Sequence, residues 1–215
     1  MKFIPTLIFA LNYSLALFAQ SNPEKVIIDD EALRKRITIS DFVLCQTSFN
    51  DLFNLDSSFK KVEVEEMDLP NNCVGNDVRF ENGKGYSFER YKGIIFQKDL
   101  YTKYISKIIL TKEFKGTLPN GISIEISQLS LKDMFKIYPQ LYDKWGSRGC
   151  SNYWSFTDDT LTFYVKIDTF KKPQFPIDKE YYLDKPIEAI ELTMFCYKIF
   201  SHNKAYMKEV NEYYD

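Results

Sequence analysis

Gln46-Thr47-Ser48-Phe49-Asn50-Asp51-Leu52-Phe53 reads again 82 residues later as Gln128-Leu129-Ser130-Leu131-Lys132-Asp133-Met134-Phe135, with four of eight positions identical. At the same offset Lys103-Tyr104-Ile105-Ser106-Lys107-Ile108-Ile109-Leu110-Thr111 is echoed by Lys185-Pro186-Ile187-Glu188-Ala189-Ile190-Glu191-Leu192-Thr193, five of nine identical. Self-similarity at a fixed spacing speaks first about architecture, because each copy of a repeat is one supersecondary unit. Both octets place a serine where a helix N-cap belongs and an aspartate three residues on, a variant of the capping box. Apolar stripes follow at helical spacing: Phe49, Leu52 and Phe53, then Leu131, Met134, Phe135 and Tyr138. The first helix is expected to stop near Asp56-Ser57-Ser58 and the second before Pro139.

Strand signals flank both helices. Ile37, Ile39, Val43 and Leu44 precede the first; Ile122, Ile124 and Ile126, alternating with polar residues, precede the second. Behind them come Val78-Arg79-Phe80, Gly93–Lys98 and Ile105–Thr111, matched by Tyr153–Phe156, Leu161–Ile167 and Ile187–Cys196. Asn82-Gly83, Pro119-Asn120-Gly121 and Thr157-Asp158-Asp159 supply the turns, and Leu118–Ile122 reads as a hairpin joining the copies. The expectation is an α+β fold: two tandem copies of a strand–short helix–antiparallel three-strand unit, the helices packed on antiparallel sheet. The first repeat spans 37–117 and the second 118–200. Lys61–Glu66 reads as an extra strand in the first copy, with Val62 and Val64 facing in and Glu63, Glu65 and Glu66 solvated. The second copy has instead a long connection from Thr169 to Lys185, punctuated by Pro173 and Pro176.

Residues 1–19 carry Lys2, an apolar run interrupted at Asn12-Tyr13-Ser14, and a small residue at Ala19, the grammar of a secretory signal peptide. Residues 20–36 read as an exposed polar arm and 201–215 as a polar tail. Without 1–19 the chain carries 27 basic and 30 acidic residues, too balanced for a nucleic-acid footprint. The expected product is an exported protein, periplasmic or extracellular, with no stable membrane insertion after cleavage. Cys45, Cys73, Cys150 and Cys196 all follow the signal, and an even number in an exported chain reads as two disulfides with three connectivities open. The favoured arrangement staples each half separately, Cys45–Cys73 and Cys150–Cys196; buried free thiols are the other reading. The spacings hold no C-x₂₋₄-C pair for zinc.

The tandem helix-plus-antiparallel-sheet pattern resembles the architecture shared by β-lactamase inhibitor proteins and small outer-membrane assembly lipoproteins. Asp41-Phe42-Val43-Leu44-Cys45 and Trp145-Gly146-Ser147-Arg148-Gly149-Cys150 are also similar to uncharacterised small exported bacterial proteins. These resemblances imply a fold and no activity.

Catalytic chemistry is thinly supplied. His202 is the only histidine, within a polar Ser201-His202-Asn203-Lys204 stretch. Asp158-Asp159 are the candidates for a carboxylate-dependent hydrolase, yet adjacent residues on an extended chain point to opposite faces. Gly83-Lys84-Gly85 lacks phosphate-loop spacing. No metal or cofactor is implied. Aromatic content of 16% points elsewhere: Trp145, Arg148 and Tyr153 surround a Gly-flanked turn, and such residues are enriched at binding hot spots. The expected function is non-enzymatic recognition of a protein or envelope component through an aromatic-rich sheet face and loops. A carboxylate hydrolase and a purely structural envelope protein are the alternatives.

Overall fold

Both helix starts form as the capping pattern requires. Ser48 Oγ accepts the Asp51 N–H at 3.2 Å while the Ser48 N–H donates to Asp51 Oδ2 at 2.8 Å. Ser130 and Asp133 make the same pair of bonds at 3.3 and 3.2 Å. These caps open α1 (Phe49–Leu55) and α2 (Leu131–Ile137), seven residues each. Helices so short have little stability of their own in water and persist by packing an apolar face. Phe49 and Leu52 of α1, and Leu131, Met134 and Phe135 of α2, are buried.

The computed structural model describes residues 38–40, 42–67, 83–98, 103–146, 151–158, 160–194 and 196. The expected signal segment and arm, Val78–Phe80, Cys73, Arg148, Cys150, Asp159, His202 and the tail lie outside them. The strands are β1 (Thr38–Ile39), β2 (Phe42–Val43), β3 (Lys60–Glu63), β4 (Lys84–Ser87), β5 (Ile94–Lys98), β6 (Ile105–Leu110), β7 (Lys115–Thr117), β8 (Ser123–Glu125), β9 (Trp145–Gly146), β10 (Tyr153–Thr157), β11 (Leu161–Lys166) and β12 (Ile187–Thr193). A short helix, α3 (Lys179–Tyr182), precedes β12. Eight strands form one antiparallel sheet in the order β3-β4-β5-β6-β12-β11-β10-β9. Among the described residues no helix is long and apolar enough to cross a membrane.

The sheet therefore has four strands on each side of a β6–β12 seam, not three. Lys61–Glu66 is no lone insertion: β3 holds one edge, and the short strand β9 holds the corresponding place at the other. The strands that precede the helices stay out of the main sheet. β1 and β2 pair with each other, and β7 and β8 form the expected hairpin, turned by Gly121 at φ 84° and straddling residues 117 and 118.

The seam pairs Leu110 with Ile190, Ile109 with Glu191 and Ile108 with Leu192. Contacts then recur across it. Phe49 N–H donates to Lys103 O at 3.1 Å, and Leu131 N–H to Lys185 O at 3.0 Å. Ile105 N–H reaches Thr47 O at 2.9 Å, and Ile187 N–H reaches Leu129 O at 3.0 Å. The ladder shifts register at Gln97/Lys98 on one side and at Tyr164/Val165 on the other.

The helices cover one face. Phe96, Ile108 and Leu110 pack there with Phe163, Ile190, Leu192, Phe156 and Trp154 in a single apolar cluster. Ile109, Ala189, Tyr164 and Tyr153 form a separate cluster; side chains alternate along a strand, so this one lies on the far face. Gly93 serves the backbone: at φ 77°, a Cβ would stand 2.2 Å from Phe114 N.

Among the described residues a disulfide joins Cys45 to Cys196, with Cα atoms 5.1 Å apart. This replaces the expected Cys45–Cys73 and Cys150–Cys196 pairing, and the seam is the reason. The Cys45 N–H donates to Ile105 O at 2.8 Å, at the start of β6. Antiparallel pairing sets that start beside the end of β12, where Met194 N–H reaches Ser106 O at 2.9 Å and Cys196 follows. The bridge closes a loop with a sequence separation of 151, which in a chain-entropy picture contributes about 5 kcal/mol.

Two outcomes follow. A non-reduced tryptic digest should contain a Cys45–Cys196 linked peptide; a Cys45–Cys73 peptide would contradict the seam geometry. Ser48→Ala and Ser130→Ala should each cost about 1 kcal/mol in urea unfolding, whereas a cost at only one site would show that the caps are not equivalent. The Asp133 carboxyl is held down to about 2 from 3.8 by hydrogen bonds from Lys136 and then Ser130. Its contribution is therefore present above pH 4 and fades as pH falls towards 2.

Candidate functional site

Three charged groups meet beneath the far face. Lys107 Nζ lies 3.0 Å from Glu66 Oε2 and 3.1 Å from Glu191 Oε2. All three residues are buried, at 4%, 5% and 8% exposure for Lys107, Glu66 and Glu191. Glu66 Oε1 also accepts from the Gly83 N–H at 3.0 Å and from the Gln97 side-chain amide. Glu191 accepts from the Tyr164 hydroxyl at 3.2 Å and the Thr193 hydroxyl at 2.9 Å. Burying a charge is costly unless it is paired and hydrogen-bonded. Here each carboxylate oxygen has at least one donor.

The network holds a strap. After β3 the chain runs as Val64–Met67 over the far face: Glu66 reaches β6, Glu65 accepts the Tyr153 hydroxyl at 2.7 Å, and Met67 O accepts the Ser151 hydroxyl at 2.6 Å. Burial, with Glu65 accepting its proton, pushes the Tyr153 phenol above its ordinary range, which keeps it a donor. Chemically the cluster fixes this strap to the sheet: its oxygens are occupied by the protein's own donors. Glu66 is thus not on a solvated face. Period two from Val62 and Val64 places Glu66 on their side, a signal that could have found it. Lys107, two residues before Ile109 on the far face, is the matching interruption. Among the described residues no group of three His, Cys, Asp or Glu side chains is arranged to hold a metal ion.

The aromatic candidates divide between the two faces. Trp145 sits in β9 at the helix face, edge-on to Trp154 with centroids 5.6 Å apart. Tyr153 is buried on the far face beside Tyr164. Strand alternation separates them, so the structure does not bring Trp145 and Tyr153 into one patch. Asp158 caps a turn: its Oδ1 accepts the N–H groups of Thr160 and Leu161, both at 2.8 Å, at the β10–β11 connection.

The more distinctive surface is the Pro-punctuated connection. Six residues separate β5 from β6, whereas twenty separate β11 from β12. Within the longer one the ring of Phe170 is 93% exposed. The backbone beneath it is closely tied. Asp168 Oδ1 accepts the Phe170 N–H at 3.0 Å, and Gln174 Nε2 donates to Asp168 O at 2.9 Å and Lys171 O at 2.6 Å. Asp168 N–H donates to the Tyr182 hydroxyl at 3.1 Å, and the Tyr181 hydroxyl donates to the Asp168 carboxylate. Lys171 pairs with Asp178 at 2.9 Å. Phe175, 57% exposed, rests on Trp154 and Trp145 at centroid distances of 5.2 and 6.3 Å. Comparison with family models, with curated proteins and with solved structures finds no match to this chain.

Lys107→Met removes a cation from between two buried carboxylates and should cost about 3–5 kcal/mol in urea unfolding. Combining it with Glu66→Leu and Glu191→Leu should recover most of that loss, because an apolar triad needs no counter-charge. A single substitution costing under about 0.5 kcal/mol would show that the strap is not held by these charges.

Proposed function

We propose that the chain is an exported, non-enzymatic recognition protein built from two copies of one helix-plus-four-strand unit. Phe170 is its main contact residue. The observation that carries this reading is an aromatic ring 93% exposed on a backbone held by four hydrogen bonds to side chains, with Tyr181–Asp168 and Lys171–Asp178 contacts beside it. Pre-organisation of the backbone lowers the entropy cost of association, and exposed aromatics are among the residues that dominate interface energetics. Duplication is supported by caps, bridges and ladder bonds that recur 82 residues apart: Ser48 bridges Tyr104 as Ser130 bridges Pro186. Export is supported by the signal-like first 19 residues together with the Cys45–Cys196 bridge, since disulfides persist in oxidising compartments.

The long connection is a place where the second unit departs from the first, and it bears the most exposed ring among the described residues. Phe170→Ser should leave the thermal midpoint within about 1 °C, because the ring buries almost nothing in the free protein. The same change should deplete the proteins captured from an envelope extract at least tenfold. Capture unaltered by the substitution would remove this loop from the account.

A further inference from the structure

We propose that Phe170 docks into a folded protein partner, in an apolar pocket sized for one ring and bearing a carboxylate at the mouth beside Lys172. This rests on the recognition reading above and adds the chemistry of the partner. Lys172, two residues along the chain from Phe170, is exposed and forms no ion pair with any described residue. Lys171, by contrast, is engaged by Asp178. The loop therefore offers an exposed apolar ring and an exposed, unpaired lysine two residues apart, and complementarity asks for a pocket with an anion near it.

A lipid surface fits these observations less well. The stretch from Lys166 to Lys185 carries five lysines and four carboxylates, so an anionic headgroup layer meets almost as much repulsion as attraction. One ring also supplies far less apolar area than a single acyl chain, which itself binds a bilayer only marginally. A loop whose backbone is tied at Asp168, Lys171 and Gln174 fixes the point from which the ring projects. That geometry is useful against a shaped pocket and adds nothing against a fluid layer. The acidic groups at the loop's base, Asp168 and Asp178, are held by Tyr181 and Lys171, whereas Lys172, two residues from Phe170, has no such partner among the described residues.

The test places a photo-crosslinking phenylalanine analogue at position 170 of the full chain, expressed in its native cells, and maps adducts by mass spectrometry. Leu55, an exposed residue of α1, carries the analogue as a control. The expected result is one protein adduct specific to position 170. It maps to an apolar pocket with an Asp or Glu at its mouth, and its yield falls about tenfold when Lys172→Glu is added. A position-170 adduct indifferent to Lys172→Glu would overturn the acidic mouth. Adducts only to lipid, or only to a second copy of the chain, would overturn the partner class while keeping the loop as a contact site. No adduct above that of the Leu55 control would overturn both this inference and the recognition reading.

Discussion

Everything in the fold depends on two strands lying side by side. The β6–β12 seam is where the two four-stranded halves become one sheet, and every residue of β6 is buried. Antiparallel pairing there puts the beginning of one half next to the end of the other. That proximity allows Cys45 and Cys196 to meet although 151 residues separate them. It also sets Lys107 of β6 against Glu191 of β12. A charge contact and a covalent bond thus both cross one line of backbone hydrogen bonds.

The seam relates the halves and also shows where they differ. Its central pair, Ile109 with Glu191, joins two residues 82 apart, and Ile108–Leu192 and Leu110–Ile190 fall symmetrically about it. On the helix face, Phe96 and Phe163 occupy matching ladder positions opposite Ile108 and Ile190. The far face is different: at the 82-residue offset Lys107 answers to Ala189, and Ile109 to Glu191. The buried charges of that face come from both halves, Lys107 and Glu66 from the first and Glu191 from the second, and the strap leaves the first half to reach Tyr153 and Ser151 of the second. The helix face keeps its apolar character in both halves because both helices need it. The far face is under no such common demand.

The short helices, their caps, the hairpin at Pro119-Asn120-Gly121 and the central strands were legible because each is written locally: a serine with an aspartate three residues on, a glycine at positive φ, a run of β-branched residues. What could not be read is what depends on distant chain segments meeting. β9 is two residues long and has no periodic signature. The Cys45–Cys196 bond follows from the order of strands across the seam, which no local pattern states. Glu66 lies between these cases. Its parity with Val62 and Val64 pointed inward, while its charge suggested solvent, and the buried cation at Lys107 decides the matter. Of the aromatic candidates, alternation within β10 already separated Tyr153 from Trp154; only the placement of β9 shows that Trp145 belongs with the latter. Phe170 carried no signal beyond the prolines around it, since exposure is a property of the folded surface.

The direct test of the account is residue-resolved amide hydrogen exchange on the oxidised full chain. A sheet organised about its middle predicts that the amides of β6 and β12 exchange slowest and at the same rate, opening together in the global unfolding step. The strands β3 and β9 at the two edges should exchange first. If β6 and β12 differ in protection by more than about 1 kcal/mol, or exchange before β5 and β11, the seam is not what unites the halves.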